Sequence, residues 1–166
     1  VQTCALPICT EQFDIVFSNA AFQWVPEHAT IFPRLMTHVT PGGALAVQVP
    51  SGVEDPANKV MHDLAGRPVR TWHAHDPFFY YRTLSPHASS LDIWETTYIH
   101  VLDRAEDIVE WYKGTGLRPF LEALDTEEQR TDFTQRYLEA VREAYPPQPD
   151  GHVLLPFRRL FLVAYR

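Results

Sequence analysis

His73, His75 and Asp76 are closely spaced residues whose types could bind a metal. In an extended segment, positions i and i+2 present two imidazoles on one side, which is the beginning of a zinc or other transition-metal site. No third convergent ligand is identifiable, so the run reads as part of a polar and aromatic loop. Gly114-Thr115-Gly116 resembles a phosphate-cradling turn, but it follows a predicted helix where such a loop follows a strand, and it works as a helix stop. No Ser-His-Asp or Cys-His arrangement stands out, which leaves covalent catalysis without support. The segments where apolar strands end, Ser18 to Trp24 and Pro50 to Val53, are the candidate functional rim.

The elements that place those segments follow from periodicity. Phe13-Asp14-Ile15-Val16-Phe17 is a nearly continuous apolar run closed by Ser18-Asn19-Ala20-Ala21, the pattern of a parallel strand buried on both faces. Thr30 offers a cap to a helix in which Phe32, Leu35, Met36 and Val39 form one apolar face, with Pro33 tolerated in the first turn. Pro41-Gly42-Gly43 then stops the helix, and Ala44 to Val49 forms a second buried strand. This order implies parallel strands with a right-handed crossover, and ligands of such sheets bind beyond the strands' carboxyl ends. Further on, the pattern predicts a helix over 54–65, an aromatic loop over 66–86 that packs over something, and a strand over 91–102. Asp103 with Glu106 predicts a reciprocal cap for a helix through Tyr112. Thr126 to Gln129 predicts a stronger one for a helix with Phe133, Tyr137, Val141 and Tyr145 on one face. A last strand, 153–165, is expected to break at Pro156 and at Arg158-Arg159. No internal repeat is visible, nor a linker between independent domains.

With 166 residues, 45% of them hydrophobic, the chain is long enough to bury a core. Its formal charge of −7 argues against a nucleic-acid partner, since a phosphate backbone rewards clustered cations. The acidic surplus lies mainly between Asp103 and Glu143, as solvated helix faces. No run approaches the roughly 18 apolar residues of a membrane helix and no leader resembles a signal peptide, so a cytoplasmic protein without a membrane partner is expected. Residues 1–8, VQTCALPI, resemble the conceptual translation of a sequencing-library adapter, and both cysteines, Cys4 and Cys9, lie in or against that stretch. Residues 1–9 are therefore set apart as non-native, and the fold is sought in residues 10–166.

Two segments, FDIVFSNAAFQWV and TPGGALAVQVP, resemble the fourth and fifth strands, with their rims, of the S-adenosylmethionine-dependent methyltransferases of the seven-stranded class. Three more, IWETTYIHVL (93–102), VEWYKGTGLRPFLEAL (109–124) and LLPFRRLFLVAYR (154–166), resemble the trans-aconitate 2-methyltransferase family within that class. The resemblance implies an α/β fold: the C-terminal part of a Rossmann-like class I methyltransferase, strands four to seven with the last antiparallel, and an added helical segment over about 103–146. The family's glycine-rich loop after its first strand, and the acidic residue ending its second, have no counterpart here. They would lie upstream of Thr10, so the chain is expected to be a truncated fragment without activity of its own.

The resemblance further implies that Asn19, Ala20, Gln23 and Trp24 line the S-adenosylmethionine pocket near the reactive methyl. Against this, a Ser-Asn turn also serves simply to satisfy backbone groups, and Trp24 suits a core as well as a pocket wall. Methyl transfer from a sulfonium to a carboxylate needs no general base, because the nucleophile is already ionised at neutral pH. The protein's task is to position and desolvate, a contribution of about 7–11 kcal/mol. The implied product is a monomethyl ester of trans-aconitate or a similar small polycarboxylate. Arg118, Arg158, Arg159, Tyr98 and His100 are the candidates to hold its carboxylates, against the plainer reading of surface ion pairs. Two alternatives stand beside this one: a methyltransferase esterifying malonyl groups on acyl carrier protein, disfavoured by the acidic helices over 105–145, and a non-catalytic α/β interaction module. The complete enzyme is expected to be monomeric.

Overall fold

The computed structural model describes residues 11–52, 54–66, 69 and 72–166. The adapter-like stretch, both cysteines and Val53 lie outside the described residues. Strand β1 (Phe13–Asn19) pairs in parallel with β2 (Val39–Pro50), Val16 opposite Leu45 and Asn19 opposite Gln48. Helix α1 (His28–Thr37) connects them and buries Phe32, Leu35 and Met36. It begins two residues before Thr30, which is not its cap; Glu27 occupies that position with a left-handed backbone, φ 64°. Pro41-Gly42-Gly43, expected to form a turn, belongs to β2. A Cβ on Gly43 would lie 2.6 Å from the Asp14 carbonyl oxygen, so glycine permits the close approach where the register slips between Phe13 and Ile15.

The sheet order is β1-β2-β4-β3, with β3 (Ser90–Leu102) and β4 (Val153–Tyr165) completing it. Gly42 N–H donates to the Arg166 carbonyl at 2.9 Å and Arg166 N–H to Gly43 at 3.0 Å, so the end of β4 meets the start of β2 and β4 runs antiparallel. Strand β4 is continuous through Pro156 and the arginine pair, where a break was expected. What changes there is phase: Val153 and Leu155 are buried on odd positions, Leu160, Leu162 and Ala164 on even ones.

The described residues form two compact units. The first comprises residues through Ser51, His73–Thr96 and Leu160–Arg166; the second, Gly52–Trp72 and Thr97–Arg159. In the first, Phe32 and Met36 pack with Leu45, Val47 and Val49 of β2, Leu160 and Leu162 of β4, and Tyr80 and Leu84. These last two lie on α3 (Pro77–Leu84), a helix inside the expected loop, which Asp76 caps by accepting the Phe79 N–H at 3.0 Å while Pro77 opens the first turn. Strand β1 is not buried on both faces: Ile15 is 67% and Phe17 71% exposed, because β1 is an edge strand and no described element covers that face.

The second unit packs α2 (Pro56–Ala65), α4 (Ala105–Lys113), α5 (Arg118–Glu122) and α6 (Glu127–Ala144) around Met61, Ile108, Tyr112, Phe120, Tyr137 and Leu155. Thr126 and Gln129 cap α6 reciprocally, as their spacing predicts. The cap of α4 sits one residue later than expected: Arg104 N–H donates to Asp107, and Glu106 instead pairs with Arg142 of α6.

Candidate functional site

The rim of β1 is built on a strained turn. Asn19 ends the strand exposed, and Ala20 follows with φ 50°, a left-handed conformation that costs a non-glycine residue about 1–2 kcal/mol. Two bonds hold it there. Ala20 N–H donates to the Gln48 carbonyl at 3.0 Å, and the buried Gln23 side chain donates from Nε2 to the Ala20 carbonyl at 2.8 Å. The Gln23 Oε1 is buried and has no hydrogen-bond partner among the described residues. Gln23 and Trp24 lie on a single 3-10 turn, Phe22–Trp24, and Trp24 is 46% exposed, which sets aside the reading of it as core. The His73 N–H straps this turn from outside through the Gln23 carbonyl at 2.7 Å.

Behind the turn, His28 bridges two elements. Its Nδ1 lies 2.9 Å from the Tyr80 hydroxyl and its Nε2 2.9 Å from the Phe22 carbonyl oxygen. Burial depresses the His28 pKa and pushes the Tyr80 phenol up to about 12. His75, one of the residues weighed as metal ligands, stacks on Phe79 with ring centroids 3.9 Å apart. Among the described residues no three or more His, Cys, Asp or Glu side chains converge as a metal site.

All five carboxylate-binding candidates lie in the second unit. Arg159 sits over the rings of Phe157, at 5.0 Å, and Tyr98, at 5.9 Å; His100 contacts Trp111 at 4.7 Å and Phe157 at 6.1 Å. Tyr98, His100 and Arg159 therefore share one aromatic platform. Arg158 instead donates from Nε and Nη2 to a single oxygen of Asp55, at 3.0 and 2.7 Å. Arg118 pairs with Glu122 at 2.6 Å on the exposed side of α5.

Asp55 and Asn58, absent from the sequence reading, tie down the segment after β2: Asn58 Nδ2 donates to the Gly52 carbonyl at 2.6 Å. His28 and Tyr80 were likewise unforeseen. The Asp-Pro dipeptides at 55–56 and 76–77 were the signals that could have revealed the starts of α2 and α3.

Residues 2–47 match the family model of a methyltransferase domain. Among solved structures, the YcgJ protein of Bacillus subtilis superposes with a TM-score of 0.51 at 12% identity, covering 94% of this chain and 65% of that one. An inferred methyltransferase from Bacillus halodurans C-125 gives 0.50 at 15% identity, covering 95% and 66%. With the sheet order and the parallel β1-α1-β2 unit, these likenesses define part of a Rossmann-like class I methyltransferase fold. Curated relatives narrow the class. The chain is 45% identical over 168 residues to the trans-aconitate 2-methyltransferase of Methylobacterium nodulans and 48% over 163 residues to that of Afipia carboxidovorans. It is similar to these trans-aconitate 2-methyltransferases over 92% of its own length and spans 63% of theirs.

Proposed function

We propose that this protein is an S-adenosylmethionine-dependent carboxyl O-methyltransferase that forms a monomethyl ester of trans-aconitate or a similar small polycarboxylate. The observation that carries the reading is the 43–48% identity to curated trans-aconitate 2-methyltransferases over 92% of the chain. The complete enzyme acts as a cytoplasmic monomer. When bound, the cofactor supplies an electrophilic methyl: the carboxylate C–O bond forms as the C–S bond breaks, and the sulfur leaves with the electron pair as a neutral thioether.

The residues of the β1 rim fit one wall of such a pocket. Gln23 offers a buried acceptor without a partner among the described residues, Asn19 an exposed amide, and Trp24 a half-exposed indole face. The Ala20 turn brings them to the carboxyl end of a parallel strand, the side where ligands of such sheets bind. For the substrate, Arg159 leads the carboxylate set, its guanidinium oriented by two aromatic rings, with Tyr98 and His100 on the same platform. Arg118 and Arg158 complete the set; both already serve a carboxylate, Glu122 and Asp55 respectively. These groups orient an anion that is ionised without help, and exclusion of water from it does the rest.

The 166 residues on their own are expected not to turn over, because among the described residues no strand leads through a glycine-rich turn to a helix, and one wall does not hold the cofactor. The test is transfer of labelled methyl to trans-aconitate by this chain joined to the N-terminal third of a curated relative, beside the chain alone. Ester is expected from the joined protein only. Turnover of malonyl-acyl carrier protein without turnover of trans-aconitate would overturn the substrate, and turnover by the chain alone would overturn its incompleteness.

A further inference from the structure

Beside the carboxylate-binding candidates lies an indole that the proposed chemistry does not use. Tyr98 and His100 are two residues apart on β3, and Phe157 and Arg159 are two apart on the neighbouring β4, so each pair projects from one side of its strand. Contacts between the pairs put all four on the same side of the sheet. The His100 and Phe157 rings are 6.1 Å apart, and the Arg159 guanidinium lies 5.0 Å from the Phe157 ring and 5.9 Å from that of Tyr98. Trp111 of α4 joins them there. Its ring stands 4.7 Å from His100, tilted at 45°, and 6.0 Å from Phe157, tilted at 58°.

Trp111 is not part of the packing face of α4. Ala105, Ile108, Val109 and Tyr112, spaced i, i+3, i+4 and i+7, fill the core of the second unit, whereas Trp111 keeps 39% of its surface open. Tyr98 keeps 44%. Two large aromatic side chains thus leave ring area uncovered on a surface that also carries a guanidinium, and Phe157 is the shared neighbour of that guanidinium and the indole. A guanidinium oriented over a ring suits a carboxylate, because its planar fork matches the two oxygens. An uncovered indole a short way off suits a flat unsaturated group, because stacked π-systems gain more than their buried area. A ligand that satisfies both carries a carboxylate conjugated with a planar alkene.

We propose that Trp111 is a specificity-determining residue: its indole stacks on the planar alkene of an unsaturated polycarboxylate whose carboxylate Arg159 holds, and so selects that acid over the saturated acid of equal charge. This assignment rests on the reading of the protein as a polycarboxylate methyltransferase and names the substrate feature that the platform recognises. trans-Aconitate and tricarballylate, its saturated counterpart, separate the two contributions. Both carry the same carboxylates on the same carbon chain, but only the double bond of the first presents a plane to the ring.

The test is ligand-observed NMR on the 166-residue chain at neutral pH, with each acid titrated to give its Kd. The chain is expected to bind trans-aconitate about three- to tenfold more tightly than tricarballylate, with saturation transfer stronger on the alkene proton than on the methylene protons. Trp111→Leu keeps apolar bulk and removes the ring, so trans-aconitate weakens to the level of tricarballylate, whose own Kd stays within about twofold. Trp111→Phe retains a ring and recovers part of the preference, and thermal unfolding checks that each variant is folded. Arg159→Ala weakens both acids alike, since it removes the charge that they share. Absence of binding, equal binding of the two acids by the wild-type chain, or an equal loss of both in Trp111→Leu overturns the assignment. The joined enzyme reads the reaction separately. Methylation of trans-aconitate with an unchanged preference in Trp111→Leu overturns the role of Trp111 and leaves the reaction standing, whereas a binding preference in the chain without methylation by the joined enzyme counts against the reaction alone.

Discussion

The uncovered face of β1 makes a quantitative demand on how this chain behaves in solution. Ile15 and Phe17 retain only about a third of their surface in contact with the protein, and Phe13 is 43% exposed. Full burial of such a side chain stabilises by about 1.5–3 kcal/mol, so roughly 1–2 kcal/mol per residue remains unrealised. Covering Ile15 and Phe17 against another molecule would return about 2–4 kcal/mol, a factor of roughly 30 to 800 in the association constant. Among the described strands β1 also lies at the sheet edge, where backbone N–H and C=O groups can pair with another chain. The chain is therefore expected to self-associate and to bind hydrophobic dyes, as read by sedimentation velocity over a concentration series and by dye fluorescence. Replacing Ile15 and Phe17 together by lysine removes the adhesive surface and sacrifices only the buried third of each, about 1–2 kcal/mol in sum, so it yields a folded monomer with little dye response. Val16 points to the other face, where it packs against the core of the first unit. Val16→Lys is expected to unfold that unit and raise dye binding. A wild-type chain that sediments as a monomer without dye binding, or a double lysine variant that associates as before, refutes the reasoning.

Four further outcomes follow from the geometry. Because the folded chain disfavours protonated His28, the unfolded state binds more protons once pH drops below about 6.5; stability is expected to hold above that value and to decline below it until the folded imidazole also protonates. Urea midpoints at about pH 7.5 and 5.5 check this, and His28→Gln reduces the difference, leaving the share from His75, whose pKa burial also lowers. A Cβ at Gly52 would come within 2.0 Å of Asp55 Oδ2, so Gly52→Ala pushes the carboxylate off Arg158 and costs about 1–3 kcal/mol; in an Asp55→Ala background the same change costs much less, as a double-mutant cycle will read. Thr126→Ala removes one half of the α6 cap and lowers stability by about 1 kcal/mol in urea unfolding. In the joined enzyme, Arg159→Ala is expected to raise KM for the carboxylate substrate about tenfold to a hundredfold with kcat much less affected, as steady-state kinetics will show.

The parts of the fold that could be read from the residues are those whose information is local. The apolar spacing of Phe32, Leu35 and Met36 gave the crossover helix, and Thr126 to Gln129 gave the start of α6, because periodicity and capping act within one or two turns. Helix α3 escaped because its eight residues are too few for a period to stand out among the aromatic residues around it, and only Asp76-Pro77 marked its start. In β4 the cue was real but misassigned: Pro156 and the arginine pair mark a change in which side chains face inward, while the strand itself runs on.

The site divides along the same line. Ser18 to Trp24 could be placed at the rim of β1 because a strand that ends in a polar turn declares its own end. The contacts behind that turn and, separately, in the segment after β2 were not legible, since each acts across the chain: His28 meets Tyr80 across 52 positions and Asp55 meets Arg158 across 103. A lone histidine at a helix start and an aspartate before a proline have ordinary local explanations, and nothing in their neighbourhoods announces a distant partner. Only the fold converts them into a loop anchor and a claim on one of the arginines. Arg158 and Arg159 are adjacent in the chain and equal by type, yet one is drawn to a carboxylate of α2's cap and the other lies over two aromatic rings. Two neighbours of one type thus take different surroundings, and no local feature of the sequence distinguishes them.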